Sequence, residues 1–190
     1  MFPTFFVPSQ DAEEVIYSYL INPSGAEPYT VGWTREAGDF EVISNRSYDD
    51  LQTGCFWGGI SSYSRGSQRL DLLNMTPPLS AVQIDAGAMN IEVKWYGGTY
   101  NQSSDDLPKL SVRFLDASLV EISTATNGYF NPITGGFPVA GGTMYWQFRT
   151  DTFDIPVNTR YLDIVLEFDR NTGTNNDGMA DEISLRFFAD

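Results

Sequence analysis

Residues 171–187 read NTGTNNDGMADEISLRF and decide the fold class. An acidic loop rich in Asn and Gly runs directly into a stretch, beginning at Asp181, in which polar and apolar side chains alternate. This period of two is typical of a strand with one buried face. Far upstream, residues 20–27 read LINPSGAE and form a complementary loop. We expect the two segments to meet, which would close one β-sandwich through its own first and last strands.

The rest of the chain is divided into short strands by Gly, Asn and Pro. Residues 90–96 (NIEVKWY) alternate most clearly, which predicts that Ile91, Val93 and Trp95 face the core. Further strands are predicted at 15–21, 30–33, 40–43, 55–57, 68–72, 81–84, 110–115, 119–122, 144–148, 161–168 and 182–188. Regular short strands without a long helical pattern predict an antiparallel, all-β sandwich or barrel. We predict one such domain at 14–190, preceded by an extended arm at 1–13.

Charge and composition exclude several classes of function. The 11 Lys and Arg residues against 25 Asp and Glu give a net charge of −14, which argues against a nucleic-acid partner and against an anionic membrane surface. The chain has no histidine, so a Ser-His-Asp triad and imidazole metal sites are excluded. The lone Cys55 cannot form an internal disulfide and is predicted to be a buried thiol.

The sequence carries no membrane signal. It has no apolar run of the roughly 18 residues that a spanning helix needs. Its start is apolar but lacks a basic region and contains Pro3 and Pro8, so no signal peptide is expected.

The predicted arm is aromatic. Phe2, Phe5 and Phe6 lie in it, and an exposed aromatic segment is a liability unless it docks somewhere. Two interpretations stay open: the arm packs on its own domain, or it docks on a neighbouring subunit.

The ordered motifs of the chain resemble the galactose-binding-like jelly-roll family over residues 15–188. The motifs are Ile21-Asn22-Pro23, Gly32-Trp33-Thr34, Phe56-Trp57-Gly58-Gly59, Ser67-Gln68-Arg69-Leu70-Asp71-Leu72, Trp95-Tyr96-Gly97-Gly98, Leu166-Glu167-Phe168-Asp169-Arg170 and Asp181-Glu182-Ile183-Ser184-Leu185. The resemblance implies a non-catalytic module, as in the carbohydrate-binding domains of glycosidases and in bacterial surface and phage virion proteins. It also implies one structural calcium between the early loop and the last strand, at Glu27 and Asp181. The family usually reads Asn-Pro-Gly-Ala-Glu, whereas Ser24 stands before Gly25 here.

The residues themselves allow one structural Ca²⁺. Calcium prefers six to eight oxygen ligands, and Asn175, Asp177 and Asp181, with Glu27 alongside, offer such groups. The alternative is a plain hairpin turn, for which Asp177-Gly178 is a type I′ signal.

Acidic pairs occur at Asp49-Asp50, Asp105-Asp106 and Asp181-Glu182. A glycosidase needs two carboxylates facing each other across a sugar, but adjacent residues of a strand point to opposite faces. We therefore expect these pairs to lie mostly in solvated loops and the protein not to be an enzyme.

Sugar binding needs aromatic rings beside amide or carboxylate groups. Tyr96, Tyr100, Asn101 and Gln102 form the best candidate, because Tyr96 should face away from the core when Trp95 faces it. Core packing is the competing interpretation for each aromatic residue.

Two functions follow from these observations. The first is a non-catalytic structural or adhesion protein, foremost a virion (phage) accessory protein such as a capsid decoration or tail component. Its partners would be subunits of a larger assembly or further copies of itself. The alternative is a free-standing, calcium-stabilised carbohydrate-binding module, similar to a lectin, with glycans as partners. Either function places the protein on a virion or an extracellular surface.

Overall fold

A computed structural model describes residues 20, 21, 23, 25, 30–43, 54–102, 106–139 and 143–189. These residues form eleven strands and one short helix. In chain order the elements are β1 (Thr34–Ala37), β2 (Glu41–Ile43), β3 (Cys55–Trp57), β4 (Tyr63–Asp71), α1 (Ala81–Asp85), β5 (Met89–Tyr100), β6 (Leu107–Leu115), β7 (Glu121–Thr126), β8 (Phe137–Val139), β9 (Met144–Asp154), β10 (Tyr161–Asp169) and β11 (Met179–Ala189). The predicted arm at 1–13 lies outside the described residues.

The strands form two antiparallel sheets that pack face to face. The five-stranded sheet has the order β1-β4-β10-β6-β7, and the six-stranded sheet has the order β2-β3-β11-β5-β9-β8. Strands that are neighbours in a sheet are mostly distant in sequence, as in a jelly roll. The predicted all-β jelly-roll sandwich is confirmed.

The core lies between the sheets and is built from alternate residues of their strands. Ile91, Val93 and Trp95 of β5 are buried there, as predicted. Opposite them lie Leu162, Ile164, Leu166 and Phe168 of β10, which leaves the odd-numbered residues of β10 on the outer face. Cys55 is buried, also as predicted.

The early loop and the last strand meet. The Ile183 amide in β11 donates a hydrogen bond to the Pro23 carbonyl at 3.1 Å. The Gln68 side chain of β4 holds the neighbouring segment, because it accepts from the Ile21 amide at 2.6 Å and donates to the Ile21 carbonyl at 2.8 Å. The sandwich is therefore closed where residues 171–187 and 20–27 led us to expect.

Two strand predictions are wrong, and one strand was not predicted. Residues 81–84 belong to α1, with only Ile84 of this helix buried, because a run of four alternating residues also fits one helical turn. Residues 30–33 precede β1 rather than form a strand, and β8 is an additional short strand. The predicted strand at 15–21 lies outside the described residues except for Leu20 and Ile21, which are in a bend.

Membrane-spanning helices are not found in the described part of the chain, whose one helix has five residues.

Candidate functional site

A row of short side chains crosses the outer face of the five-stranded sheet. Val165 of β10 lies opposite Ser67 of β4 on one side and opposite Ser111 of β6 on the other, and Ser111 lies opposite Thr126 of β7. Ser67, Ser111 and Val165 are at most 7% exposed. Because these residues stand at one level on adjacent strands, they form the floor of a groove that runs across the strands, which we call the polar trough.

Long charged side chains form both walls of the polar trough. One wall is two residues along the strands from the floor, about 7 Å away, and the other lies equally far on the opposite side. The first wall contains Arg65, Glu167 and Lys109, and the second contains Arg69, Asp163 and Arg113.

The walls are held by close ion pairs. Lys109 Nζ lies 2.6 Å from Glu167 Oε2, and Arg69 binds Asp163 through two hydrogen bonds, of 2.7 and 2.9 Å. Bidentate pairs of this kind fix the side-chain positions as well as the charges. The hydrogen-bond donors and acceptors of the trough walls are therefore fixed in position.

A third set of contacts joins the two walls. Glu36 of β1 accepts from Arg113 Nη2 at 2.6 Å through Oε1, and its Oε2 lies 2.7 Å from Arg65 Nη2. The Ser67 hydroxyl on the floor donates to the same Oε1. We call the series Arg65–Glu36–Arg113 the charged bridge, because it passes over the floor from the first wall to the second.

Beyond the charged bridge the trough forms a cavity of about 160 Å³. Its lining includes Ser111 and Val165 of the floor and extends to Glu121, Thr124 and Thr126 of the edge strand β7, all three of which are exposed. The cavity is thus bounded by the bridge and extends to the exposed side chains of β7.

Among the residues that the structure describes, two donors of the charged bridge have no hydrogen-bond acceptor. The Nε atoms of Arg65 and Arg113 are buried and unsatisfied. A buried donor without an acceptor costs free energy, about 1–3 kcal/mol in typical cases.

Two tyrosines lie beside the first wall. The Tyr63 hydroxyl donates to Glu167 Oε1 at 2.5 Å, and Lys109 Nζ lies 4.6 Å from the centre of the Tyr129 ring. Burial, together with the negative charge of Glu167, raises the pKa of Tyr63 to about 12 and raises that of Tyr129 as well. Both phenols are therefore protonated near neutral pH.

The pKa of Glu36 is lowered from its ordinary value of 4.5. Burial alone would raise it, but the hydrogen bonds from Ser67 and Arg113 and the charges of Arg113 and Arg65 outweigh burial. Glu36 is therefore a carboxylate at neutral pH, which the charged bridge requires.

The charged bridge should make stability depend on acidity. Because the folded pKa of Glu36 is below 4.5, its contribution is complete above that pH and is lost as the pH falls through the folded value. We expect the melting temperatures of wild type and Glu36→Gln to differ at pH 7 and to converge as the pH falls below 4.5. Thermal unfolding across this range measures the difference. A difference that is independent of pH would contradict the assigned role of Glu36.

No protein-family model and no curated protein matches the sequence. Among solved structures, the CBM22-1 xylan-binding domain of Paenibacillus barcinonensis Xyn10C is 17% identical, with a TM-score of 0.54 over 88% of this chain and 92% of that domain. A family 16 carbohydrate-binding module is 15% identical, with a TM-score of 0.56 over 88% of this chain and 99% of that module. The enzymatically active domain of tailspike protein 4 from bacteriophage CBA120 is 14% identical, with a TM-score of 0.57 over 90% of this chain and 21% of that chain.

The chain has the jelly-roll fold of these carbohydrate-binding modules. The predicted galactose-binding-like jelly roll is thus confirmed at the level of fold.

In this jelly roll the sugar-binding candidates predicted from sequence lie far from the polar trough, on the outer face of the six-stranded sheet. Tyr96 and Tyr100 are half-buried there, Asn101 is exposed and Gln102 is half-buried. The two tyrosines pack against a second apolar cluster made of Cys55, Met144, Trp146 and Met179. Tyr96 also contacts the rings of Phe137 and Phe148, with centroids 6.3 and 5.1 Å away. Tyr96 therefore does face away from the core, but much of its ring is covered.

The predicted metal ligands do not all lie in the same element. Asp181 is fully buried inside β11, where its Oδ1 accepts from the Glu182 amide at 2.8 Å, whereas Asn175 and Asp177 precede the strand. Glu27 lies outside the described residues. Within the described ranges no three Asp, Glu or Cys side chains are grouped so that they could hold a metal ion.

The loop before β11 is held by a carboxylate. Asp106 is fully buried, and its two oxygens accept from the amides of Asn171 and Asp177 at 2.7 Å and of Thr172 at 3.4 Å. The prediction that the acidic pairs lie mostly in solvated loops is wrong for Asp106 and for Asp181, both of which are buried. Asp49, Asp50 and Asp105 lie outside the described residues.

The polar trough was not predicted from sequence, although part of the signal was present. Alternation at 110–115 places Leu110, Val112 and Phe114 inward, which leaves Ser111 and Arg113 outward. What the pattern could not supply is the pairing of β6 with β10, and of β10 with β4, which brings the walls together.

Proposed function

We propose that the protein is a non-catalytic glycan-binding protein that holds its ligand in the polar trough. The observation that carries this proposal is a cavity walled by carboxylates and cations that close ion pairs hold in place. The fold supports it, because the carbohydrate-binding modules that are similar in structure are built on the same sandwich.

The chemistry of the trough suits hydroxyl groups. A sugar hydroxyl both donates and accepts, and the walls offer carboxylate acceptors at Asp163 and Glu167 next to guanidinium donors at Arg65 and Arg113. Four of the 11 cationic residues of an acidic chain gather here, facing Glu36, Asp163 and Glu167. The face is therefore close to neutral in charge and rich in polar groups, which suits a polyol.

The geometry of Asp163, Glu167 and Glu36 argues against two pairings that glycoside hydrolysis could use. Asp163 and Glu167 are four residues apart on one strand, about 13 Å, which exceeds the separation of about 5–9.5 Å in glycosidases. Glu36 and Asp163 are closer, since both bind Arg113 Nη2, at 2.6 and 3.1 Å. However, the pKa of Glu36 is lowered, and a general acid needs a raised one.

A glycan array with the whole chain, followed by calorimetry with the best ligands, tests the proposal. We expect the protein to bind at least one class of glycan on the array, and we expect the same sugar in solution to compete with that binding. No binding to any glycan at millimolar concentration would contradict the proposed function.

A second candidate is the virion accessory protein expected from the sequence. The observation that favours it is the similarity to a domain of a bacteriophage tailspike. The aromatic residues Phe2, Phe5 and Phe6, which lie outside the described residues, would then mediate docking on a neighbouring subunit. Detection of the chain in purified virions at a fixed ratio to the capsid protein would support this candidate, and its absence there would exclude it.

We also propose a structural calcium held by Asp181 and Glu27. Asp181 fits such a role, because it is a fully buried carboxylate in β11, the strand whose Ile183 amide binds the early loop at Pro23. A ligand at 100 times its Kd stabilises the folded state by about 2.7 kcal/mol, which corresponds to a rise in melting temperature of roughly 5–10 °C for a chain of this size. We expect calcium to raise the melting temperature of the chelated wild type but not that of Asp181→Asn. An unchanged wild-type melting temperature would contradict the calcium site.

A further inference from the structure

We infer that the polar trough recognises the end of a glycan chain rather than an internal stretch of it. This inference rests on the proposed glycan-binding function, and it concerns which part of the glycan is read. It follows from the charged bridge, which obstructs the trough at one end.

The charged bridge lies directly over the trough floor. Arg65 belongs to the first wall and Arg113 to the second, and Glu36 contacts both, at 2.7 and 2.6 Å. Beneath Glu36, the Ser67 hydroxyl donates to it from the floor. The space between floor and bridge is therefore occupied by hydrogen-bonded atoms, so a linear chain cannot continue along the floor past Ser67.

The bridge is held more firmly than an ordinary surface ion pair. Exposed pairs contribute little because two flexible side chains must be held in one geometry. Here Glu36 has three partners, and Arg113 has a further contact with Asp163 at 3.1 Å. Arg113 and Glu36 side chains are only 22% and 16% exposed. Opening the bridge would separate charges that are 16–36% exposed, so a ligand gains more by stopping at it than by displacing it.

The remaining cavity is small. Its volume of about 160 Å³ is below the roughly 300–1,000 Å³ typical of sites for drug-sized ligands. It reaches the exposed side chains of Thr124 and Thr126 on the edge strand β7. A terminal sugar can therefore contact the bridge while the rest of the chain leaves over the edge of the sheet.

The geometry predicts a particular dependence on chain length. Affinity should be set by the terminal sugar and should stop increasing once the cavity is filled. Modification of the terminal sugar that enters the cavity should weaken binding at least about tenfold, the equivalent of 1.4 kcal/mol.

The test is calorimetry with the glycan class found on the array, as a ladder of chain lengths and with either terminal residue chemically blocked. We expect affinity to level off early in the ladder and to be lost when one of the two ends is blocked. The inference would be overturned if affinity rises with every added sugar and does not change when either terminal sugar is blocked. That result would leave the proposed glycan-binding function intact. Absence of binding throughout would instead contradict the proposed function.

A variant that cuts the bridge provides a second test. We expect Glu36→Ala to bind a glycan whose two terminal sugars are both blocked, which we call the doubly blocked chain. Without the Glu36 carboxylate over Ser67, such a chain can continue along the floor of the trough. Asp154→Ala is the matched control, since it removes an exposed carboxylate from β9 on the opposite sheet, leaves the bridge intact and should keep the chain end necessary. If Glu36→Ala does not fold, Arg65→Ala cuts the bridge at its other end. No gain of doubly blocked chain by either folded variant would count against the inference.

Discussion

If the polar trough holds a glycan, we expect that replacing Ser111 with tryptophan abolishes binding and leaves the protein folded. Ser111 is in the middle of the trough floor and lines the cavity of about 160 Å³, so an indole ring at this position fills the space that the ligand needs. The serine contributes little to stability, since its hydroxyl makes one long hydrogen bond, of 3.3 Å, to Glu167. We expect affinity to fall at least about 100-fold, the equivalent of 2.7 kcal/mol.

Calorimetry with the array-selected glycan measures the loss, and thermal unfolding verifies the fold. Thr152→Trp is the matched control, because Thr152 is an exposed residue of β9 on the opposite sheet. Equal affinities for wild type and Ser111→Trp would show that the ligand binds elsewhere.

Replacing Phe40 with alanine lowers the free energy of unfolding by about 3–5 kcal/mol. The Phe40 ring is fully buried and stacks with Phe56 and Phe168, with centroids 5.5 and 6.1 Å away. It joins the two sheets, because Phe56 belongs to the six-stranded sheet and Phe168 to the five-stranded one. It also lies on Gly66 so closely that a Cβ there would come within 2.4 Å of the ring. The cavity left by alanine therefore opens where the sheets meet.

Chemical denaturation measures this loss, which would be a large share of the 5–15 kcal/mol that stabilises a typical domain. Val120→Ala is the control, since Val120 is 61% exposed and its truncation should change stability by less than about 0.5 kcal/mol. A loss below about 1 kcal/mol for Phe40→Ala would contradict the packing described for the core.

The strands could be predicted because their signal is local. Alternation placed Ile91, Val93 and Trp95 inward, and the structure confirms it. The same signal failed at 81–84, because four residues are too few to separate a strand from one turn of helix. It also underestimated β4 and β9, whose polar outer residues continue beyond the apolar core that defines the pattern.

The candidate site could not be predicted because it depends on register. Arg65, Asp163 and Arg113 come from three strands that are distant in sequence and adjacent in the sheet. Outward residues are identifiable strand by strand, but only the pairing shows that short side chains form one row and charged ones form two. The sequence around Tyr96 indicated that its side chain faces away from the core. It did not indicate that Phe137 and Phe148 contact the Tyr96 ring, because these residues are distant in sequence.

The most direct test of the account is an NMR titration of the labelled protein with the glycan selected on the array. If the polar trough is the binding site, the amides of Ser67, Ser111 and Val165 shift on binding, while those of Tyr96 and Phe148 on the opposite sheet stay unchanged. Shifts confined to Tyr96, Tyr100 and their neighbours would contradict the account and place the ligand on the other face of the sandwich.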